Sequence, residues 1–205
     1  MTEPRYRRRK EDRPDEIAEA ACEAFAANGY SATRVEDVAK RAGVSKGLLY
    51  LYYKTKEELF KAVIRNVVVR RIDVLIALLD DPDRSAEDFI RGPMLSLLKQ
   101  MPGSPVAVVI RLLIAEGPKH PDLVDYYWEN VASRGVAAFR GLLDRAVERG
   151  EFRACPAAEQ PQLFMAPVIM SVIWRAVFAK RPLDSDRLIE TQIDLLLAEL
   201  KGGKP

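Results

Sequence analysis

Residues 43–59 read GVSKGLLYLYYKTKEEL, and how that stretch folds decides the rest of the chain. Leucines interleaved with tyrosines suit a buried strand, a core helix or an exposed apolar surface. Capping residues bracket a helix here. Ser45 can cap a helix over 45–53, and Thr55 with Glu58 has capping-box spacing for a helix starting at 56. At about 100° per residue, Leu49, Tyr52 and Tyr53 share one packing stripe. Gly47 and Leu51 point the opposite way, flanked by Leu48 and Tyr50.

Upstream, Val35, Val38, Ala39 and Ala42 make a short apolar face, followed by Gly43, Val44 and Ser45. Two short helices joined by a glycine-containing turn, with a small alanine at the crossing, make a helix-turn-helix. Such a motif sets its second helix in the DNA major groove. The outward face suits that use. Gly47 lets the backbone come close. Leu48 and Leu51 can meet thymine methyl groups, while Tyr50, Lys46, Lys54 and Lys56 can reach phosphates. Thr33, three residues before Glu36, is expected to cap the first of the two helices at an N-terminus suited to another phosphate. With Arg34 and Ser45, these residues form the expected DNA face.

Helical spacing continues along all 205 residues, with no strand alternation or internal repeat. Pro14 suits a first helical turn, and Asn28-Gly29 closes that helix. Ser104-Pro105, His120-Pro121 and Cys155-Pro156 each place proline at an expected first turn, and Gly117-Pro118, Gly150 and Arg181-Pro182 mark ends. The expectation is an all-α fold of about nine helices: 14–28, 34–42, 45–53, 56–79, 86–101, 105–116, 121–149, 157–179 and 185–200. Three short helices precede six longer ones. This suggests a basic tail over 1–12, a helix-turn-helix DNA-binding domain over 13–55 and a larger helical effector-binding and dimerisation domain over 56–205. The fourth helix, about 36 Å long at 1.5 Å per residue, runs from one into the other.

The segments IAEAACEAFAANGYSAT (17–33) and TRVEDVAKRAGVSKGLLYLYYKTKEELFKAV (33–63) resemble the N-terminal domain of the tetracycline-repressor (TetR) family of bacterial transcription regulators. The resemblance covers roughly 14–65, with Phe25, Gly29, Tyr30 and Thr33 in the family's usual places. It implies that Thr33, Lys46, Gly47, Tyr50 and Lys56 contact DNA. Two positions depart from the family's habit: Leu48 stands where threonine is common, and Leu51 where histidine is. Both changes remove hydrogen-bonding capacity.

On the last expected helix, Leu188 and Leu195 lie near one angle, with Ile189, Ile193, Leu196, Leu197 and Leu200 on an adjoining arc. Together they span about 200°, wider than the roughly 100° that one core requires. The preceding helix is apolar nearly all round, and Pro167 near its start is expected to bend it. Two such helices meeting the same pair in a second copy would make a four-helix interface, with Val168, Val172, Leu188, Leu195 and Leu196 as expected contacts. TetR-like proteins pair their last two helices in this way.

Between these helices and the fourth lie Phe89, Met94, Leu98, Met101, Ile110, Leu113, Tyr127, Trp128, Phe164, Met165 and Trp174. At helical spacing they read as core or as pocket. The resemblance implies an apolar or amphipathic effector among them. Arg111, Glu116 and Arg175 interrupt the apolar helices as pocket groups or as structural ion pairs, and His120 sits in a turn.

Composition narrows the function classes. A single histidine can build neither a Ser-His-Asp triad nor a multi-histidine metal site within one chain, and no phosphate-cradling glycine loop appears, so no catalytic, metal or cofactor site is expected. Cys22 and Cys155 form neither a disulfide framework nor a zinc cluster, which points to a reducing compartment. The longest apolar run, LFMAPVIMSVIW, falls short of the roughly 20 residues a bilayer needs. A net charge of +2 says little about partners, but Arg5, Arg7, Arg8, Arg9 and Lys10 gather in the tail, which can follow DNA or simply solubilise the end. The expected protein is a cytoplasmic, homodimeric, one-component regulator, in this family most often a repressor. It would bind a palindromic double-stranded operator and release it when a small molecule binds. The alternative is a dimeric DNA-binding protein with no effector.

Overall fold

A computed structural model describes residues 13–81 and 84–202; the basic tail lies outside them. Nine helices and no strand appear among the described residues. α1 spans Arg13–Ala32, α2 Val35–Arg41 and α3 Lys46–Tyr52. α4 covers 56–77: Lys56–Ile64, a widened π turn Arg65–Val69, then Arg70–Ala77. α5 covers 86–100 with a π turn at Ile90–Met94, and α6 is Pro105–Glu116. α7 covers 121–148 with a π turn at Trp128–Ala132. α8 is Ala166–Val177 and α9 Ser185–Lys201.

Three of the expected caps act where the sequence puts them. Ser45 accepts from the Leu48 amide, Thr55 from the Glu58 amide, and Ser104 from the Val106 amide ahead of Pro105. The long helices are not uniformly α. Pro93 lies inside the widened turn of α5, where the looser backbone accommodates a residue with no N–H. The π turns of α4 and α7 pack against each other.

One continuous buried cluster runs from Ile17 on α1 to Leu200 on α9. α1 contributes Ile17, Ala18, Ala21, Ala24 and Phe25, and its alanines let α4 pack close. Leu49 is fully buried where α3 packs on this group, and Ala39 is buried at the α2–α3 crossing. No single described helix is long and apolar enough to cross a membrane. The one pair that passes together, 86–103 with 105–119, is bent by 65°.

Three local expectations are corrected. Thr33 does not cap α2, whose N-cap is Arg34 without a side-chain bond. Its hydroxyl bonds back to the Gly29 carbonyl at 2.6 Å and lies 3.2 Å from that of Ala24, because Gly29 (φ +79°) turns the end of α1 toward it. The eighth helix begins at 166, not 157. Residues 155–160 close three successive tight turns (Ala158 to Cys155, Glu159 to Pro156, Gln160 to Ala157), and Pro161–Phe164 is a 3-10 turn. Pro167 therefore opens α8 rather than bending it, since its missing N–H falls among the first-turn donors that need no helical partner.

Leu49→Ala should lower unfolding free energy by about 2–5 kcal/mol, the range for emptying a buried leucine site. The midpoint of a urea titration measures it.

Candidate nucleic-acid interface

The face of α3 away from Leu49 is open. Gly47 is exposed, and a Cβ added there would meet nothing within 4 Å. Leu51 is 75% exposed and Tyr50 37%, while Leu48 is half-buried. Arg34, Ser45, Lys46 and Lys54 are exposed around it. Tyr53 turns inward and donates its hydroxyl to the Pro14 carbonyl at 3.1 Å, and Tyr52 is half-buried beside it. The side chains left uncovered are thus a glycine, a leucine and a tyrosine, with cations at the edges.

Lys46 is not a bare cation. Its ammonium pairs with Glu36 on α2 and lies 5.7 Å from the Tyr50 ring centre. The Lys46–Glu36 hydrogen bond holds the Glu36 carboxyl below its ordinary range and raises the Lys46 ammonium above its own. Glu36 thereby positions Lys46 and competes with any incoming phosphate. In the sequence Glu36 reads as a cap partner; its place ten residues before Lys46, across the turn, is the signal for this pair.

Two expected contacts face inward instead. Thr33 is 2% exposed with its hydroxyl already bonded, so it offers no side-chain donor at the surface. Lys56 donates to the carbonyls of Tyr30, Ser31 and Thr33 at 2.8, 3.0 and 3.3 Å, and lies 4.7 Å from the Tyr30 ring centre. Partial burial lowers its ammonium pKa. It is a brace for the end of α1. Around it Phe25, Tyr30 and Phe60 meet at 5.5–5.6 Å, and His120 packs on Tyr30 at 4.8 Å.

α6 joins the same brace. Arg111 donates to the Ala26 carbonyl at 2.9 Å, and Glu116 accepts from the Ser31 hydroxyl at 3.0 Å. These two residues bind α6 to α1 rather than lining an internal pocket. Arg175 donates to the Pro102 carbonyl, and Trp174 to that of Arg181 at 3.0 Å.

The expected effector residues divide. Phe89, Met94, Leu98, Met101, Ile110 and Phe164 are buried in the continuous core, with Phe164 edge-on to Phe139 at 4.6 Å. Leu113, Tyr127, Met165 and Trp174 are half-buried, and Trp128 faces outward. Burial alone pushes the Tyr127 phenol up to about 12. Two open clefts lie elsewhere. One of about 220 Å³ is lined by residues including Leu79, Arg84, Arg145 and Arg149, the other, of about 430 Å³, by Tyr52, Tyr53, Lys61, Arg65 and Tyr126 among others.

Val168, Val172 and Leu196 are core side chains, buried within one chain, so they do not form the outward face expected of them. α8 instead exposes Met170, Ile173 and Val177, with Phe178 beyond, and α9 exposes Leu195. Leu188 is half-buried. Positions 170, 173 and 177 recur at the three-and-four spacing of a helix-packing seam.

Comparison with known proteins places this geometry. Residues 17–63 match the model for bacterial regulatory proteins of the tetR family, and residues 90–195 that for the tetracyclin repressor-like C-terminal domain. An HTH-type transcriptional repressor of Streptomyces coelicolor is 30% identical over 139 residues, covering 64% of this chain and 67% of that protein. The fatty acid metabolism regulator protein of Bacillus subtilis is 41% identical over 59 residues, and this chain spans only 30% of its length. The structure of a TetR-family transcriptional regulator from Mesorhizobium loti superposes with a TM-score of 0.72 at 23% identity, covering 96% of this chain and 98% of that one. That of Bacillus subtilis FadR with stearoyl-CoA gives 0.71 at 21%, covering 90% and 97%, a likeness of fold.

Gly47→Ala should leave thermal stability unchanged or slightly higher, because the methyl meets open space and a helical glycine costs about 0.5–1 kcal/mol relative to alanine. The same methyl should weaken DNA binding, read by fluorescence anisotropy. Lys56→Met should cost about 1.5–3 kcal/mol of stability, the range for hydrogen bonds to a charged group, as measured by denaturant titration.

Proposed function

Because the chain belongs to the TetR family of bacterial transcriptional regulators, we propose that it works as a cytoplasmic homodimeric repressor that reads a palindromic operator and leaves it when a small molecule binds. The single observation that carries the DNA side is the uncovered α3 face: Gly47 and Leu51 are left exposed. In this reading Leu51 and Leu48 meet thymine methyl groups, Tyr50 and Lys54 reach phosphates, and Lys46 exchanges Glu36 for a phosphate. Arg34 and Ser45 border the same groove.

The dimer forms through α8 and α9. Its support is the exposed seam of Met170, Ile173 and Val177 with Leu195, more apolar surface than a lone chain gains from exposing. Two copies packed there would present two α3 helices to half-sites about 34–36 Å apart.

The effector is apolar or amphipathic. Its support is the shared fold with the FadR structure that holds stearoyl-CoA, together with the Tyr127 phenol, half-buried and without a hydrogen-bond partner among the described residues. Since Phe89, Met94 and Leu98 are packed, entry requires the middle helices to part. α6 would carry that movement to α1 through Arg111 and Glu116, so effector and operator weaken each other reciprocally.

Binding to DNA flanking the chain's own gene tests the whole reading: a protected two-fold symmetric site is expected, and a full-length protein that shows no salt-sensitive preference for any such site refutes it. Lys54→Gln should reduce the salt dependence of operator binding by about 0.9 in log–log slope. Ile173→Glu should convert dimer to monomer in sedimentation velocity.

A further inference from the structure

The 430 Å³ cleft lies where the end of α3 meets α4 and α7. On α4, Glu58, Lys61, Ala62 and Arg65 recur at the spacing of one helix face, which forms its base. Tyr52 and Tyr53, with ring centres 6.5 Å apart, and Tyr126 from α7 also line it. Its volume is within the roughly 300–1,000 Å³ of ordinary small-molecule sites, unlike the 220 Å³ cleft.

The polar groups of this cleft are unbalanced. Its one carboxylate, Glu58, is engaged by the Lys54 backbone N–H at 2.7 Å. Lys61 is paired with Glu57 at 2.5 Å and lies 5.6 Å from the Tyr126 ring centre. Arg65 faces the Tyr53 hydroxyl but has no carboxylate partner among the described residues, nor does the Lys54 ammonium. The Tyr52 and Tyr126 hydroxyls likewise have no hydrogen-bond partner among the described residues. The cations Lys54, Lys61 and Arg65 thus outnumber the one carboxylate, and three tyrosines line the space. A ligand that satisfies the site must bring acceptors and a flat apolar face.

We propose that this cleft is a second small-molecule site, separate from the middle-helix effector site, and that it takes a planar aromatic acid whose ring packs on the tyrosines that line it and whose carboxylate or phosphate meets Arg65 and Lys54. Occupancy ties the end of α3 to α4 and α7 and so changes how α3 is presented; that consequence, unlike the binding itself, rests on the DNA-binding reading above.

Calorimetric titration of the full-length protein without DNA tests the site. 2-Naphthoate and adenosine 5′-monophosphate are the carboxylate and phosphate probes; 2-naphthalenemethanol keeps a ring without the charge, and cyclohexanecarboxylate keeps the charge without an aromatic ring. At least one anionic aromatic should bind tenfold or more tightly than both controls, and which one does so identifies the acid. Arg65→Gln should weaken that anion at least tenfold while leaving naphthalenemethanol unchanged. Tyr126→Leu, which preserves bulk, should weaken both. No saturable binding of either anion, or binding that survives both substitutions at unchanged circular dichroism, overturns the proposal. Operator affinity is measured separately on ligand-free protein, so its absence would remove the regulator reading while the anion titration still decides the cleft.

Discussion

The turn at Gly29 is the constraint on which the molecule's two ends depend. It breaks the last turns of α1 away from helical geometry and leaves a run of carbonyls without amides to serve them. Each neighbour supplies a donor. Thr33 bonds back to Gly29, Lys56 reaches the carbonyls of Tyr30, Ser31 and Thr33, and Arg111 crosses from α6 to Ala26. Phe25, Tyr30 and Phe60 close the apolar side. These donors tie the end of α1 to α4 and α6, and where the carbonyls are partly buried each bond avoids a desolvation cost of up to about 1–3 kcal/mol.

That bracing suits the exposed face proposed to read DNA. Tyr50, Leu51 and Gly47 can meet a groove in register only if their helix does not rock, and α3 is seven residues long with one fully buried anchor, Leu49. It is held by its neighbours rather than by its own hydrogen bonds. In the proposed reading, Leu48 and Leu51 also limit what the face can recognise. With no hydroxyl or imidazole at these two positions, they would offer a base methyl contact rather than a hydrogen-bonding pattern.

Much of this was legible in the sequence. Ser45, Thr55 and Ser104 act locally, through a hydroxyl and an amide two or three residues apart, so their spacing was sufficient. The Leu49 stripe followed from helical angle alone. Thr33 and Lys56 were misassigned because their partners are set by where the Gly29 turn sends the chain, which no spacing rule records. Val168, Val172 and Leu196 failed differently. On helices that are apolar over a wide arc, periodicity identifies the arc but not which side of it meets the chain's own core. The start of α8 was ambiguous because Pro156, Pro161 and Pro167 each suit a first turn, and only the last opens an α-helix.

The widened turn Arg65–Val69 has a geometric consequence for α4. A π turn behaves as one residue added to an α-helix, and one residue advances the helical phase by about 100°. The leading half of α4 buries Leu59, Phe60, Val63 and Ile64, whereas the trailing half, Arg70–Ala77, has no fully buried residue. The two halves of the rod are thus offset in angle and joined by a turn that packs on the matching loosened turn of α7. A change of that one turn to regular pitch would rotate one half of α4 relative to the other, so the feature couples helix pitch to the direction in which the short helices face.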